Sequence, residues 1–232
     1  MTKRILTILA ALALWCLPAP ARAQAPAPPV PPVPIRGADA LPREIPLFPL
    51  DGLTVFPNRD RILHIFEPRY RAMMADALKG DRVIGMVQLK PGFEKDYEGR
   101  PPIFDIGCAG VISQHELLDD GRYDLVLTGL VRFRVISEDQ SRPYRVARVE
   151  PLPEVEPDAR MLAAIETQKA RLLTLIDPGI AEQVRELDAE DLINTLAMGL
   201  KMEGVQRQAL LERNDIESRG AALIEVLAAN RR

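Results

Sequence analysis

Two histidines, one internal cysteine and one short acidic run hold most of the reactive side chains that a catalytic search would start from. His64 sits in the strand-like run "RILHIF" beside Phe66, and His115 sits near a turn in "ISQHELLDDG". A zinc hydrolase would set two histidines a helical turn apart around a glutamate, and a serine hydrolase would set its nucleophile in Gly-x-Ser-x-Gly; neither pattern occurs. Each histidine is therefore expected to be structural or solvated rather than a base or a metal ligand. Cys108 lies in the apolar stretch "FDIGCAGVIS", the setting of a small buried thiol and not of a nucleophile or an intermolecular bridge. "DDGRYD", Asp119 to Asp124, lacks the spacing and terminal bidentate glutamate of a calcium loop. No Gly-x4-Gly-Lys-Ser/Thr phosphate loop is present. The expectation is a chain with no catalytic residue, no cofactor and no metal site.

The elements that would carry these residues fall into two kinds. From Ile45 to Glu154 short apolar runs alternate with Pro, Gly and acidic turns: "IPLFPL", "RILHIF", "RVIGMVQL", "FDIGCAGVIS", "YDLVLTGLVRFRVIS" and "YRVARVEPL". These read as strands. Asp120-Gly121 between two such runs predicts a tight hairpin turn with positive φ. In "GLVRFRVIS", Arg132 and Arg134 alternate with Phe133 and Val135, which predicts one buried face and one solvated face bearing the arginines. The exception is "FEPRYRAMMADALKG", where Glu67-Pro68 supplies a helix start, since a first-turn proline loses no hydrogen bond. The helix is expected to run to Gly80. Beyond Pro157 the apolar spacing turns helical in "DARMLAAIETQKARLLTLI", "DAEDLINTLAMGLKM", "VQRQALLE" and "DIESRGAALIEVLAA". Asp188 and Asp215 are expected caps, and Met198 and Met202 are expected in the core.

The amino-terminal residues predict an address. Lys3 and Arg4 precede an apolar run from Ile5 to Leu17, too short to span a bilayer, and Ala21-Arg22-Ala23 closes it. This is the pattern of a cleavable signal peptide, residues 1–23, with the cut between Ala23 and Gln24 and a periplasmic or secreted product; a signal-anchored form is the alternative. Cys16 follows Trp15, too bulky for a lipid-attachment site, and is read as part of the apolar run. Cleavage would remove Lys3, Arg4 and Arg22 and no acid, taking the formal charge from −3 to −6. Such a field opposes binding to nucleic acid. It would also leave Cys108 as the sole cysteine and hence no internal disulfide. Residues 24–44, with six prolines between positions 26 and 34, favour polyproline II and read as a tether that reaches about 60 Å at roughly 3.1 Å per residue.

The order "IPLFPLDGLTVFPNRDRILHIFEPRYRAMMADAL", then "GCAGVIS", then "DDGRYDLVLTGLVRFRV" resembles the amino-terminal substrate-binding domain of the Lon protease family, in the manner of its stand-alone bacterial members. "RQALLERNDIESRGAAL" extends the resemblance through Gln208, Leu210, Leu211, Glu212 and Arg219. It implies an α+β fold: a small β-rich pseudo-barrel subdomain with one inserted helix, residues 45–156, then a helical bundle subdomain, residues 157–230. Glu67, Pro68, Arg69 and Tyr70 form the family motif and are read as structural, with Tyr70 packed under the sheet. The resemblance implies a non-enzymatic module of the cell envelope that binds unfolded or extended polypeptides, without a permanent membrane span. It assigns no substrate-binding residue. An adaptor for one folded envelope protein is the alternative, and an unrecognised hydrolase ranks below both. The cytosolic setting of the best-known family members differs from the export predicted for this chain.

Overall fold

The computed structural model describes residues 41–93 and 99–230. The predicted signal peptide, its Ala23–Gln24 junction and nearly all of the proline-rich tether lie outside them.

Six strands and six helices follow in the order β1 (Glu44–Leu50), β2 (Asp60–Ile65), α1 (Pro68–Ala77), β3 (Val83–Gln88), β4 (Ile106–Leu117), β5 (Tyr123–Asp139), β6 (Arg145–Leu152), α2 (Ala159–Leu175), α3 (Pro178–Val184), α4 (Ala189–Gly199), α5 (Gly204–Leu211) and α6 (Ile216–Ala229). The strands lie in the order β2-β5-β4-β3-β1-β6, and β5 also pairs with β6. This last pairing closes the sheet, because β5 is long enough to serve two neighbours along one side. Its first half, from Tyr123 to Thr128, pairs with β2, and its second half, from Arg132 to Asp139, pairs with β6. A barrel of β5, β4, β3, β1 and β6 results, with β2 added outside the ring. Only β1 and β3 run parallel.

Closure needs small residues on the inside. At Gly85 and Gly107 an added Cβ would collide with the Phe133 ring, so the two glycines make the space that this ring fills among Ile45, Leu47, Val87 and Val149. The second core lies on the other side of the sheet. There Phe48, Leu63, Ile65, Ile84 and Leu127 join Tyr70, Met73 and Met74 of α1 and Leu172, Ile193, Leu196, Leu211 and Leu223 of the helices in one continuous cluster. Met198 and Met202 pack against this cluster, half-buried, as expected.

Local chemistry explains the helix ends. Pro68 occupies the first turn of α1, and the helix proper stops at Ala77, with Leu78 to Gly80 forming the closing turn. Asp158, Asp188 and Asp215 each accept a hydrogen bond from the main-chain N–H three residues on, at 2.7–2.8 Å. Apolar spacing predicts no helix at α3, although Asp177-Pro178 carries its start signal and Asp177 accepts from the N–H of Gly179 at 2.8 Å. Its seven residues are too few for apolar spacing to reveal it. The predicted hairpin between β4 and β5 is present, with Gly121 at φ +80° and its N–H donated to the Leu118 carbonyl at 2.8 Å.

One expectation fails. Arg134 is exposed, but Arg132 is 1% exposed. Both point away from the barrel interior that holds Phe133; at Arg132 that outer face is roofed by helices. Its Nη1 donates to the Leu211 carbonyl at 3.3 Å, and its Nε lies 3.3 Å from Glu154 Oε1.

Candidate functional site

Arginines fasten the helices to the barrel, mostly through main-chain carbonyls. Arg61 reaches Thr54 and Met198, while Arg207 reaches Gly52, Ala197 and Leu200. Arg219, fully buried, binds Glu154 and Asn194 and lies over the Phe56 ring. Guanidinium suits this work because its fork of donors saturates several carbonyls at once. These cations are used up holding the fold and are not presented to a ligand.

Arg69 and Tyr70 of the Glu67–Tyr70 motif line an open cleft of about 250 Å³ together with Pro49, Arg100, Tyr144 and Arg145. Tyr70 is 4% exposed and meets Phe48 edge-on with ring centroids 4.6 Å apart. Tyr70 is thus a core side chain, while Arg69 faces the cleft. The three arginines of the cleft already have acceptors: Arg69 donates to Glu67 at 2.9 Å, Arg145 to Glu138 at 2.8 Å, and Arg100 to the Arg142 carbonyl at 2.9 Å. Beside them Tyr144 donates its hydroxyl to Asp76 at 2.7 Å. That bond holds the Asp76 carboxyl below its ordinary range, and burial raises the Tyr144 phenol.

The groups considered for catalysis do not converge. Cys108 is completely buried, and loss of hydration, with the Glu154 carboxylate next in weight, pushes its thiol up to about 12. A thiol so placed is inert at neutral pH. His115 is lowered by burial and by Arg82. His64 is on the opposite side of the β4–β5 ribbon, its Nδ1 2.5 Å from Asp124 and its Nε2 3.1 Å from Arg122. Among the described residues no group of three or more His, Cys, Asp or Glu side chains is placed to hold a metal ion, and no helix is long and apolar enough to cross a membrane.

The two sides of the strand "RILHIF" differ sharply in exposure. Leu63 and Ile65 enter the core, whereas Ile62 is 80% and Phe66 60% exposed. His64 lies between them and stacks toward Phe66. The alternation was legible, but only the assembled sheet tells which parity is left uncovered.

The comparisons with known proteins agree with this architecture. Residues 44–229 match the family model described as the ATP-dependent protease La (LON) substrate-binding domain. The chain is 27% identical over 200 residues to Lon protease 2 of Myxococcus xanthus, a match that covers 82% of the chain and 24% of that protein. It is 26% identical over 222 residues to the Lon protease of Anaeromyxobacter dehalogenans, covering 92% of the chain and 26% of the relative. The chain therefore spans about a quarter of the length of these curated relatives. Among solved structures, the N-terminal domain of a Mycobacterium avium complex Lon protease superposes with a TM-score of 0.62 at 19% identity, covering 80% of this chain and 98% of that one. A Lon N-terminal domain protein from Xanthomonas campestris gives 0.55 at 23% identity, covering 78% and 97%. With the family model matched along all six strands and all six helices, this chain belongs to the Lon substrate-binding domain family.

Proposed function

We propose that this protein is a non-catalytic module that binds unfolded or extended polypeptides in the cell envelope. The observation that carries the proposal is the open apolar pair Ile62 and Phe66 on the outward face of β2, within a fold whose family is described by substrate binding. Water-exposed large apolar side chains on a sheet face favour contact with another apolar chain. The buried Cys108 and the scattered histidines support binding without chemistry. The amino-terminal sequence supports export, and intact-mass measurement of protein from the native envelope tests it: a chain beginning at Gln24 is the expected result, and one retaining Met1 overturns the envelope assignment.

Binding itself is tested by titrating a fluorescently labelled, reduced and carboxymethylated lactalbumin into the exported form and following anisotropy. Saturable binding in the micromolar range or weaker is expected, since ordering a flexible chain costs conformational entropy that a single small surface offsets only in part. The labelled polypeptide should be recovered uncut. Absence of binding, with capture of one folded envelope protein instead, would make the chain an adaptor; fragments would make it a hydrolase.

A further inference from the structure

We infer that the polypeptide enters as an added β-strand along the free edge of β2, an assignment that rests on the polypeptide-binding reading and makes it specific. Among the described residues β2 has one strand neighbour, β5, along its whole length. The Gly129 N–H donates to the Arg59 carbonyl, and the register runs unbroken from Asp60↔Thr128 to Ile65↔Tyr123. In an antiparallel ladder the hydrogen-bonded residues alternate, so Arg61, Leu63 and Ile65 follow Arg59 in turning their main-chain groups to β5. The main-chain N–H and C=O of Asp60, Ile62 and His64 therefore face the open side.

Proteins usually guard such an edge with Lys, Pro, a bulge or a covering segment. β2 has none of the first three. Arg61 is turned to the Thr54 and Met198 carbonyls and does not guard the edge. On the outward face Asp60 is held by the Thr128 hydroxyl at 2.6 Å and His64 by Asp124. The polar side chains are thus tied to the sheet while Ile62 and Phe66 stay open. The other margin of this ribbon, the far half of β4, is broken by a register shift between Ile112 and Gln114, so it makes a poorer template.

The occupant is an extended segment of another polypeptide, with apolar side chains four residues apart to lie beside Ile62 and Phe66 and a basic residue beside Asp60. Arg122 beside His64 is paired with Asp120 at 2.6 Å, so the carboxylates of Asp60, Asp124 and Glu116 leave this face with an excess of negative charge that supplies the preference. The chain's own proline-rich run is unsuited to the role, because its prolines have no N–H for a ladder. A second copy is disfavoured by area: six residues of edge and two apolar side chains fall well below the roughly 1,200 Å² of a stable pair. A short ladder with two side-chain contacts suits weak, reversible capture.

The test uses the exported full-length form, labelled carboxymethylated lactalbumin, and the variants Ile62→Pro and Ile62→Lys. Proline at 62 removes a donor that β5 does not use, so both variants should melt within a few degrees of the parent. Binding should fall at least about tenfold in each. As a readout independent of protein folding, the heptapeptide Lys-Thr-Val-Thr-Ser-Thr-Phe is compared in two forms, N-methylated at odd or at even positions. One form should bind and the other fail, because an added strand uses alternate amides. Lactalbumin binding that is unchanged in both variants, or equal binding of the two methylated peptides, overturns strand addition while leaving polypeptide binding standing. No lactalbumin binding by the parent overturns both. Sedimentation showing a dimer that Ile62→Pro dissociates would assign the edge to a second copy.

Discussion

Arg219 of α6 grips the carboxylate of Glu154 with both terminal nitrogens, and the same carboxylate lies 3.3 Å from the Nε of buried Arg132 on β5. One acid thus neutralises two cations at the seam between barrel and helices. The remaining donors of Arg219 go to Asn194 and to the Leu210 and Arg213 carbonyls.

Removing the acid leaves two buried guanidiniums facing each other. Glu154→Gln should cost about 3 kcal/mol, the lower end for breaking a buried pair from one side. Urea denaturation followed by far-UV circular dichroism measures it. A midpoint equal to the parent's would show that the arginines are held by carbonyls alone.

Tyr70→Ala should destabilise by about 3 kcal/mol, as large-to-small aromatic changes in cores do, because the ring is buried against Phe48. Lactalbumin binding by the fraction still folded should be unchanged. An unshifted melt with lost binding would move the Glu67–Tyr70 motif from structure to recognition.

Gly129→Ala and Gly199→Ala should part ways. A Cβ at Gly129 would press into the main-chain carbonyl of Phe56, which cannot swing aside, whereas nothing lies within 4 Å of one at Gly199. The first should cost about 3 kcal/mol, at the top of the usual overpacking range. The second should be neutral or stabilise by about 0.5 kcal/mol through the unfolded chain. Thermal melts of the pair check this, and equal melting temperatures would contradict the close approach at Gly129.

Cys108 makes stability fall at high pH. Its folded thiol is pushed up to about 12, while an unfolded thiol ionises at about 8.5. Between those values the unfolded chain binds fewer protons, so stability declines with rising pH, by up to about 1.4 kcal/mol per unit from this group. Cys108→Ala should flatten that limb of the profile, even if it lowers stability at neutral pH. Native protein at pH 8 should react with a thiol alkylating reagent only as fast as it opens; rapid labelling would show the site to be accessible.

Local chemistry and spacing in the sequence determined much of this protein: the strand runs, the hairpin at Asp120-Gly121, the switch to helix at Glu67-Pro68, and the aspartate caps at 188 and 215. Each depends on a residue and its near neighbours, so each is legible without a fold. The family motifs added the α+β architecture. Tertiary structure alone decided that β5 serves two partners and closes the ring, because that depends on which distant strands lie alongside it. It also decided the fate of Arg132. Alternation correctly set Arg132 and Phe133 on opposite faces, but whether the outer face meets water depends on where α5 and α6 settle. The same holds in reverse for "RILHIF": its two parities were visible, yet only the placement of β2 outside the ring left Ile62, Phe66 and one row of main-chain amides without a covering element among the described residues. Solvent exposure is set by what packs on top of a strand, and that information lies far away in the chain.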